Sequence, residues 1–433
     1  MIIGFEPAAR AWADWPGPGV VELPPLRGEL SVGEAELDAA ARDFGNRVHR
    51  RPLAVLRPGG ATDVAAMVRF GRRCGIPVVP RGAGHAVDGQ AQTDGIVIDL
   101  TALRAVHRIG ADRIEVDAGA RWSTVVDAAL LVGLVPPVLP DYLELTVGGI
   151  LSAGGFGGAS HRHGAIADRV LELEVVTPDG ELTSCSAEHN DKLFDAVRGT
   201  QGEHGIITRA TVALAPARVL ARRYVLTYRE LGPFLADQLR VMADRRFDQT
   251  IGQARHTEAD GWSYTLEALA AYDPPDEPDD ATLLDGLAHQ ALERQDMTLR
   301  QFLYRLVPFE AQLRELGSWQ DHPHPRCNVL LPGRHAEAVI ADSLAGLRER
   351  DLGLGGNVLL YPVPTGLLGA PGMPKAADPV TWLFGLQRTA PPGDAELIER
   401  MRLGNEELRA TVRRLGGVDY TYPTAYHRTL HGS

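Results

Sequence analysis

The sequence predicts an α+β protein of two domains, and three observations carry that reading. At 433 residues the chain is longer than one hydrophobic core usually serves. From Leu53 to Leu214 many short apolar runs alternate with few crossover helices. At Pro216 the texture changes: glycine thins out, and an acidic, Pro-rich stretch, YDPPDEPDD (272–280), reads as an exposed loop. The expected partition is 1–215, 216–390 and a C-terminal segment, 391–433, that returns toward the first domain.

Each element has a local reason. Residues 1–50 are rich in Pro and Gly and then mildly helical. Leu53–Leu56 reads as a strand ending at Pro58. Thr62 is placed to cap a helix with apolar positions Val64, Met67, Val68 and Cys74, and Gly75 ends it. Ile76–Val79, Gly95–Leu100 and Arg113–Val116 read as strands, and Trp122–Val132 as an amphipathic helix opened by Ser123 and Thr124. Val170–Val176 turns through Pro178-Asp179-Gly180 into a second strand. Asp191–Val197 is helical, and Ile206–Leu214 alternates as a strand. Further on, helical patterns are expected at 281–317 and 335–350, with strands at Asn328–Leu331, Val358–Tyr361 and Trp382–Leu386.

Composition excludes several function classes. Lys+Arg is 44 and Asp+Glu is 56, so the net charge of −12 disfavours a nucleic-acid or anionic-membrane partner. No window approaches the roughly 20 apolar residues of a membrane span. The N-terminal stretch lacks the basic and apolar regions of a secretory signal. Cys74, Cys185 and Cys327 are odd in number and far apart, so no disulfide framework is expected and a cytoplasmic location is. Only Lys192 and Lys375 are lysines, and this Arg skew with abundant Ala and Gly suggests a bacterial genome.

Two glycine clusters carry the chemistry. Arg81-Gly82-Ala83-Gly84-His85 follows a predicted strand and begins like a dinucleotide fingerprint, but Val87 stands where the third glycine belongs. Alone it reads first as a tight turn, although its N–H groups and Arg81 suit an anion. The second cluster, 145–158, is too Gly-rich to predict a helix interior or strand. Two such loops favour a large ligand with two or more phosphates over a pair of tight core turns. The pairs His161/His163 and His322/His324 lack acidic or Cys neighbours in sequence, so no metal site is expected.

These residues also carry a resemblance. RGAGHAVDGQAQTDGIVIDL (81–100) resembles the FAD-binding loop of the vanillyl-alcohol-oxidase superfamily. PDYLELTVGGILSAGGFGGASHRHGAIADRVLELEVVTPDGELTSCS (140–186) and FDAVRGTQGEHGIITRATVAL (194–214) are similar, more narrowly, to cytokinin dehydrogenases. Looser similarity continues at 317–333 and 355–363. The resemblance implies an FAD-binding α+β domain and a smaller substrate-binding domain with an antiparallel sheet and flanking helices. It implies FAD attached through its 8α carbon to His85. Where the family has Ser next, this chain has Ala86; Gln90 keeps the family's glutamine. Arg81, Gly82, Ala83, Gly84, Gly148 and Gly149 fall at pyrophosphate-holding positions. Thr146, Ser152, Phe156 and Ile206 fall at cofactor-lining positions, with Phe156 a departure in type. Asp141, before Tyr142-Leu143, falls at the position of the catalytic base and also beside the flavin. No cysteine lies between Asp141 and Gly158, so a single histidyl link is implied.

The family's activity is expected to carry over as hydride transfer to flavin N5 from a C–H next to an N–H, giving an imine that hydrolyses to amine and aldehyde. A small, flat, neutral substrate is expected, an N6-alkenyl adenine first, with oxygen or a quinone as electron acceptor. The alternative is a related bacterial FAD-linked oxidase for another amine or alcohol in a biosynthetic pathway; a flavin-binding protein without catalysis ranks third. Two departures favour keeping the alternative. The family's His-Pro-Trp-Leu-Asn is His324-Pro325-Arg326-Cys327-Asn328 here. Family members also continue into a Ser-Pro-Gly-Gln segment that touches the flavin, whereas this chain ends at Ser433. Tyr422 is expected to reach the cofactor, and another segment to close the pocket.

Overall fold

The computed structural model describes residues 2–420. Three sheets form its frame. The first has four strands in the order Glu29–Ser31, Ala54–Arg57, Ile96–Asp99 and Val78–Arg81, the last three parallel. Parallel neighbours need a crossover, and the helix Ala61–Cys74 supplies it between Ala54–Arg57 and Val78–Arg81. Val64, Met67, Val68, Phe70 and Cys74 form its buried stripe, and Gly75 ends it at φ +66°. Thr62 does not cap this helix. Gly60 occupies the cap position, and the Asp63 carboxylate accepts from the backbone N–H groups of Arg27, Gly28 and Gly59.

The second sheet is antiparallel: Leu182–Ser186, Val170–Val176, Ile206–Ala213, Arg113–Asp117 and Val106–Ile109. The third has eight antiparallel strands in the order Ala291–Thr298, Leu220–Tyr228, Gly261–Tyr272, Gln249–Thr257, Asn357–Pro364, Val380–Gln387, Cys327–Pro332 and Val418–Asp419. Helices Leu231–Asp244, Gly333–Ala345 and Ala395–Arg414 pack on it through Phe234, Val339, Ile340, Leu408 and Val412. This is the α+β, two-part architecture expected from the sequence. One core cluster joins the parts: Ile114 and Val175 of the second sheet and Trp122 of helix Trp122–Leu130 share it with Leu269, Leu299 and Phe302.

Residues 1–50 hold the expected helix, Glu34–Ala40, and also strands Gly4–Glu6, Ala11–Ala13, Val21–Glu22 and Glu29–Ser31. Two local expectations fail, each for a physical reason. Ala291–Thr298, inside the predicted helical stretch 281–317, is an edge strand whose side chains are nearly all exposed. It shows no apolar alternation because its partner strand, Leu220–Tyr228, holds it by backbone bonds. The second glycine cluster does form a helix, Val147–Ala153. Val147 and Leu151 are buried, and Gly148 lies so close to Ala118 that a methyl there would stand 2.8 Å from its Cβ. Tertiary packing therefore overrides the entropic cost of glycine. No described helix is long and apolar enough to cross a membrane.

Candidate active site

The loop after Val78–Arg81 carries the first glycine cluster, and a distant segment grips it. Phe44 N–H donates to the Gly84 carbonyl at 2.8 Å, and Gly45 N–H to that of Ala86 at 3.0 Å. The Asp43 carboxylate accepts from Gly89 N–H at 2.7 Å. Gly45 is obligatory, since a methyl there would drive into the Val87 carbonyl. Gly84 and Gly89 take φ of +68° and +80°, which suits glycine.

Two adjoining cavities meet at this loop. The first, about 380 Å³, is lined by Gly82, Ala83, Gly84, His85, Ala86, Gln90, Thr146, Gly148, Gly149, Ser152 and Ile206. Gly202, Gly205, Arg326, Asn328, Gln387 and Tyr420 complete its wall. The second, about 880 Å³, is lined by Asp141, Tyr142, Glu267, Arg305, Trp319 and residues of the large sheet. His85, Arg326 and Gln387 line both. The first wall fits FAD by its own chemistry: Gly82, Gly84, Gly148 and Gly149 present bare backbone to the cavity, and Gly82 and Gly149 let the Thr146 hydroxyl pack against them where a methyl would strike it. That is a backbone cradle for a phosphate-bearing ligand.

Three sequence-expected residues lie off the first wall. Arg81 folds beneath its own loop, so that a methyl on Gly84 would strike its guanidinium. Phe156 packs instead against the Tyr420 ring, 5.2 Å between centroids. Asp141 faces the second cavity. Tyr422 lies outside the described residues. Two residues earlier, the Tyr420 hydroxyl accepts from Gly155 N–H at 2.9 Å, so a tyrosine of the C-terminal segment does line the first cavity.

His85 sits among rings. It stacks on Phe44 at 3.9 Å, with Tyr142 at 5.0 Å and Trp319 at 5.8 Å. Burial first, then the charge of Arg326, holds its pKa well below that of a free imidazole. The ring is therefore neutral at neutral pH, with a ring nitrogen free of a proton.

Asp141 is held by charge. Arg305 Nη2 donates to its Oδ1 at 3.1 Å, while Arg305 Nε donates to Glu267 Oε2 at 2.8 Å. Arg223 binds the other oxygen of Glu267. Burial raises the Asp141 pKa and Arg305 opposes the rise. Burial also acts to raise Glu267, but Arg305 and Arg223 together bring it below the ordinary carboxylate value. Glu267, Arg305 and Phe44 are not recoverable from motifs, since each reaches the site from a remote segment. One histidine of each His-x-His pair holds structure: His161 bonds to the Gly158 and Phe247 carbonyls, and His324 to Thr389.

Such a site, a glycine cradle opening onto a half-buried carboxylate, defines an FAD-linked oxidoreductase. Residues 52–186 match the FAD binding domain model, and residues 227–415 match the model described as cytokinin dehydrogenase 1, FAD and cytokinin binding. The chain is 40% identical to an uncharacterized oxidoreductase, ORF5 in the fasciation locus, of Rhodococcoides fascians, covering 91% of this chain and 90% of that one. It is 36% identical to cytokinin dehydrogenase 4 of Oryza sativa subsp. japonica, covering 78% and 71% respectively. In fold it is similar to 6-hydroxy-D-nicotine oxidase of Arthrobacter nicotinovorans, with a TM-score of 0.70 at 22% identity over 91% of this chain and 87% of that one. The chain belongs to the cytokinin dehydrogenase family, within the vanillyl-alcohol-oxidase type of flavoproteins, and its cofactor is FAD.

The grip on the loop is testable at Gly45. Gly45→Ala should cost about 1–3 kcal/mol of stability, as overpacking against fixed backbone does. Urea unfolding should register the loss, and the purified variant should carry less flavin per chain than the wild type.

Proposed function

We propose that this flavoprotein oxidises N6-alkenyl adenines to adenine and an aldehyde, with Asp141 as the base. One observation carries the reading: a half-buried carboxylate opens onto the cavity that adjoins the FAD cradle, anchored by a single arginine. Membership in the cytokinin dehydrogenase family supports the substrate class. When bound, FAD supplies the hydride acceptor. Asp141 accepts a hydrogen bond from the substrate N–H and takes that proton as the neighbouring C–H bond breaks. Water then adds to the resulting substrate imine and splits it into amine and aldehyde. Arg305 favours the ionised form of Asp141, and Glu267 fixes Arg305 by occupying its Nε. His85, neutral and nucleophilic at nitrogen, is the point of flavin attachment. Residues 1–215 serve the flavin, 216–390 the substrate, and 391–433 return Tyr420 to the flavin cavity. Oxygen or a quinone reoxidises the cofactor, and the reaction is cytoplasmic. A second reading, another amine or an allylic alcohol, is favoured by Arg326 and Cys327 where the family carries Trp and Leu.

Anaerobic mixing with isopentenyladenine should bleach the flavin and yield adenine. Asp141→Asn should bind flavin normally and slow that bleaching by about 10²–10⁴-fold; unchanged bleaching would remove Asp141 from the mechanism. If the wild type stays oxidised with this substrate but is reduced by another amine or allylic alcohol, the second reading holds.

Acid precipitation of the wild type should leave the yellow colour with the protein pellet, and His85→Ala should release it. Wild-type flavin recovered in the supernatant would sink the attachment.

Arg305 lowers the pKa of Asp141, so removing it must raise that pKa. In Arg305→Met the acidic limb of kcat/KM should move to higher pH, by about 1 to 3 pH units.

A further inference from the structure

The wall shared by the two cavities carries a cation that has no counterion among the described residues. Arg326 lies with its guanidinium carbon 4.6 Å over the Phe44 ring. Its Nε is buried without a hydrogen-bond partner. No side-chain hydrogen bond or ion pair joins the guanidinium to any described residue, and Arg326 lines both cavities. The other buried charges of the second cavity are matched. Arg305 and Arg223 serve Glu267 and Asp141. Glu310 is taken by Arg314 and Tyr142, and Asp296 by Arg222. The histidines beside Arg326 cannot serve as its counterion, because a neutral or protonated imidazole carries no negative charge.

Arg326 remains protonated at neutral pH, since burial lowers its pKa only to about 10. Arg326 is half-buried; a charge held partly out of water without a protein counterion is costly, and a protein that keeps one gains by pairing it with a ligand. We propose that Arg326 is a specificity residue, recognising an oxyanion, carboxylate or phosphate, on the substrate itself. The preferred substrate of that class then carries an oxyanion away from its flat, reacting end, and an uncharged one such as isopentenyladenine is turned over without that contact. This departs from the neutral substrate expected from the sequence. It rests on the reading of the second cavity as the substrate site and refines it. The cavity's volume, about 880 Å³, leaves room for more than a bare purine with a short alkenyl chain.

The test uses flavin-loaded protein and three probes of one shape: benzoate, phenyl phosphate and uncharged benzamide. Binding is read from the perturbed absorbance of the oxidised flavin. Both anions should bind at least about tenfold more tightly than benzamide, the scale of one charge-assisted hydrogen bond. Preference for benzoate or for phenyl phosphate identifies the oxyanion. Arg326→Met should abolish the preference, and Arg326→Lys should restore part of it. Equal binding of anions and benzamide by the wild type overturns the proposal, whatever the variants do. So does an Arg326→Met protein that keeps the preference. A lower flavin midpoint potential in Arg326→Met with anion binding intact also overturns it, since the charge then serves the reduced flavin. If isopentenyladenine fails to reduce the flavin while the anion preference stands, only the adenine assignment falls.

Discussion

Phe44 lies between two imidazoles, with His85 stacked at 3.9 Å and His324 at 4.0 Å. Trp319 meets the same ring edge-on at 5.0 Å. Each aromatic contact contributes only about 0.5–1.5 kcal/mol, yet the stack joins three segments that no regular element connects. They are the N-terminal stretch, the glycine loop and the approach to strand Cys327–Pro332. Burial holds both imidazoles below the pKa of free histidine, His324 at about 3, so the stack carries no imidazolium at neutral pH. The position of His85 between the two cavities depends on it.

The charges around this stack divide the work. On one side, Arg305 spans Asp141 and Glu267, so burial raises the Asp141 pKa while the arginine opposes the rise. On the other, Arg326 is left to the cavity. Removing water from such a site strengthens every remaining charge interaction. The fold thus leaves one such charge where a ligand enters, while salt bridges elsewhere, such as Arg222 with Glu277, Asp280 and Asp296, hold a loop to the large sheet.

Much of the frame is legible in the sequence because period and punctuation agree there. Asp191–Val197 follows directly from its apolar spacing, and Val170–Val176 with its Pro-Asp-Gly turn from its alternation. The edge strand Ala291–Thr298 is illegible, since an exposed strand needs no apolar face and its ladder lies with residues about 70 positions away. The helix at Val147–Ala153 hides behind its glycines, whose small size matters only once Ala118 is beside Gly148.

The sequence by itself determined the chemistry that short motifs encode. Two glycine loops point to a phosphate-bearing cofactor, because close backbone approach demands glycine, while the resemblance to cytokinin dehydrogenases singles out His85 and Asp141. Tertiary structure alone decided how that chemistry is tuned. Phe44, Glu267, Arg305 and Tyr420 reach the site from scattered positions, and Phe156 and Arg81 turn away from it. The physical reason is that packing and electrostatics act through space. A guanidinium placed against a carboxylate, or left without one, acquires its role only when the chain has closed around it.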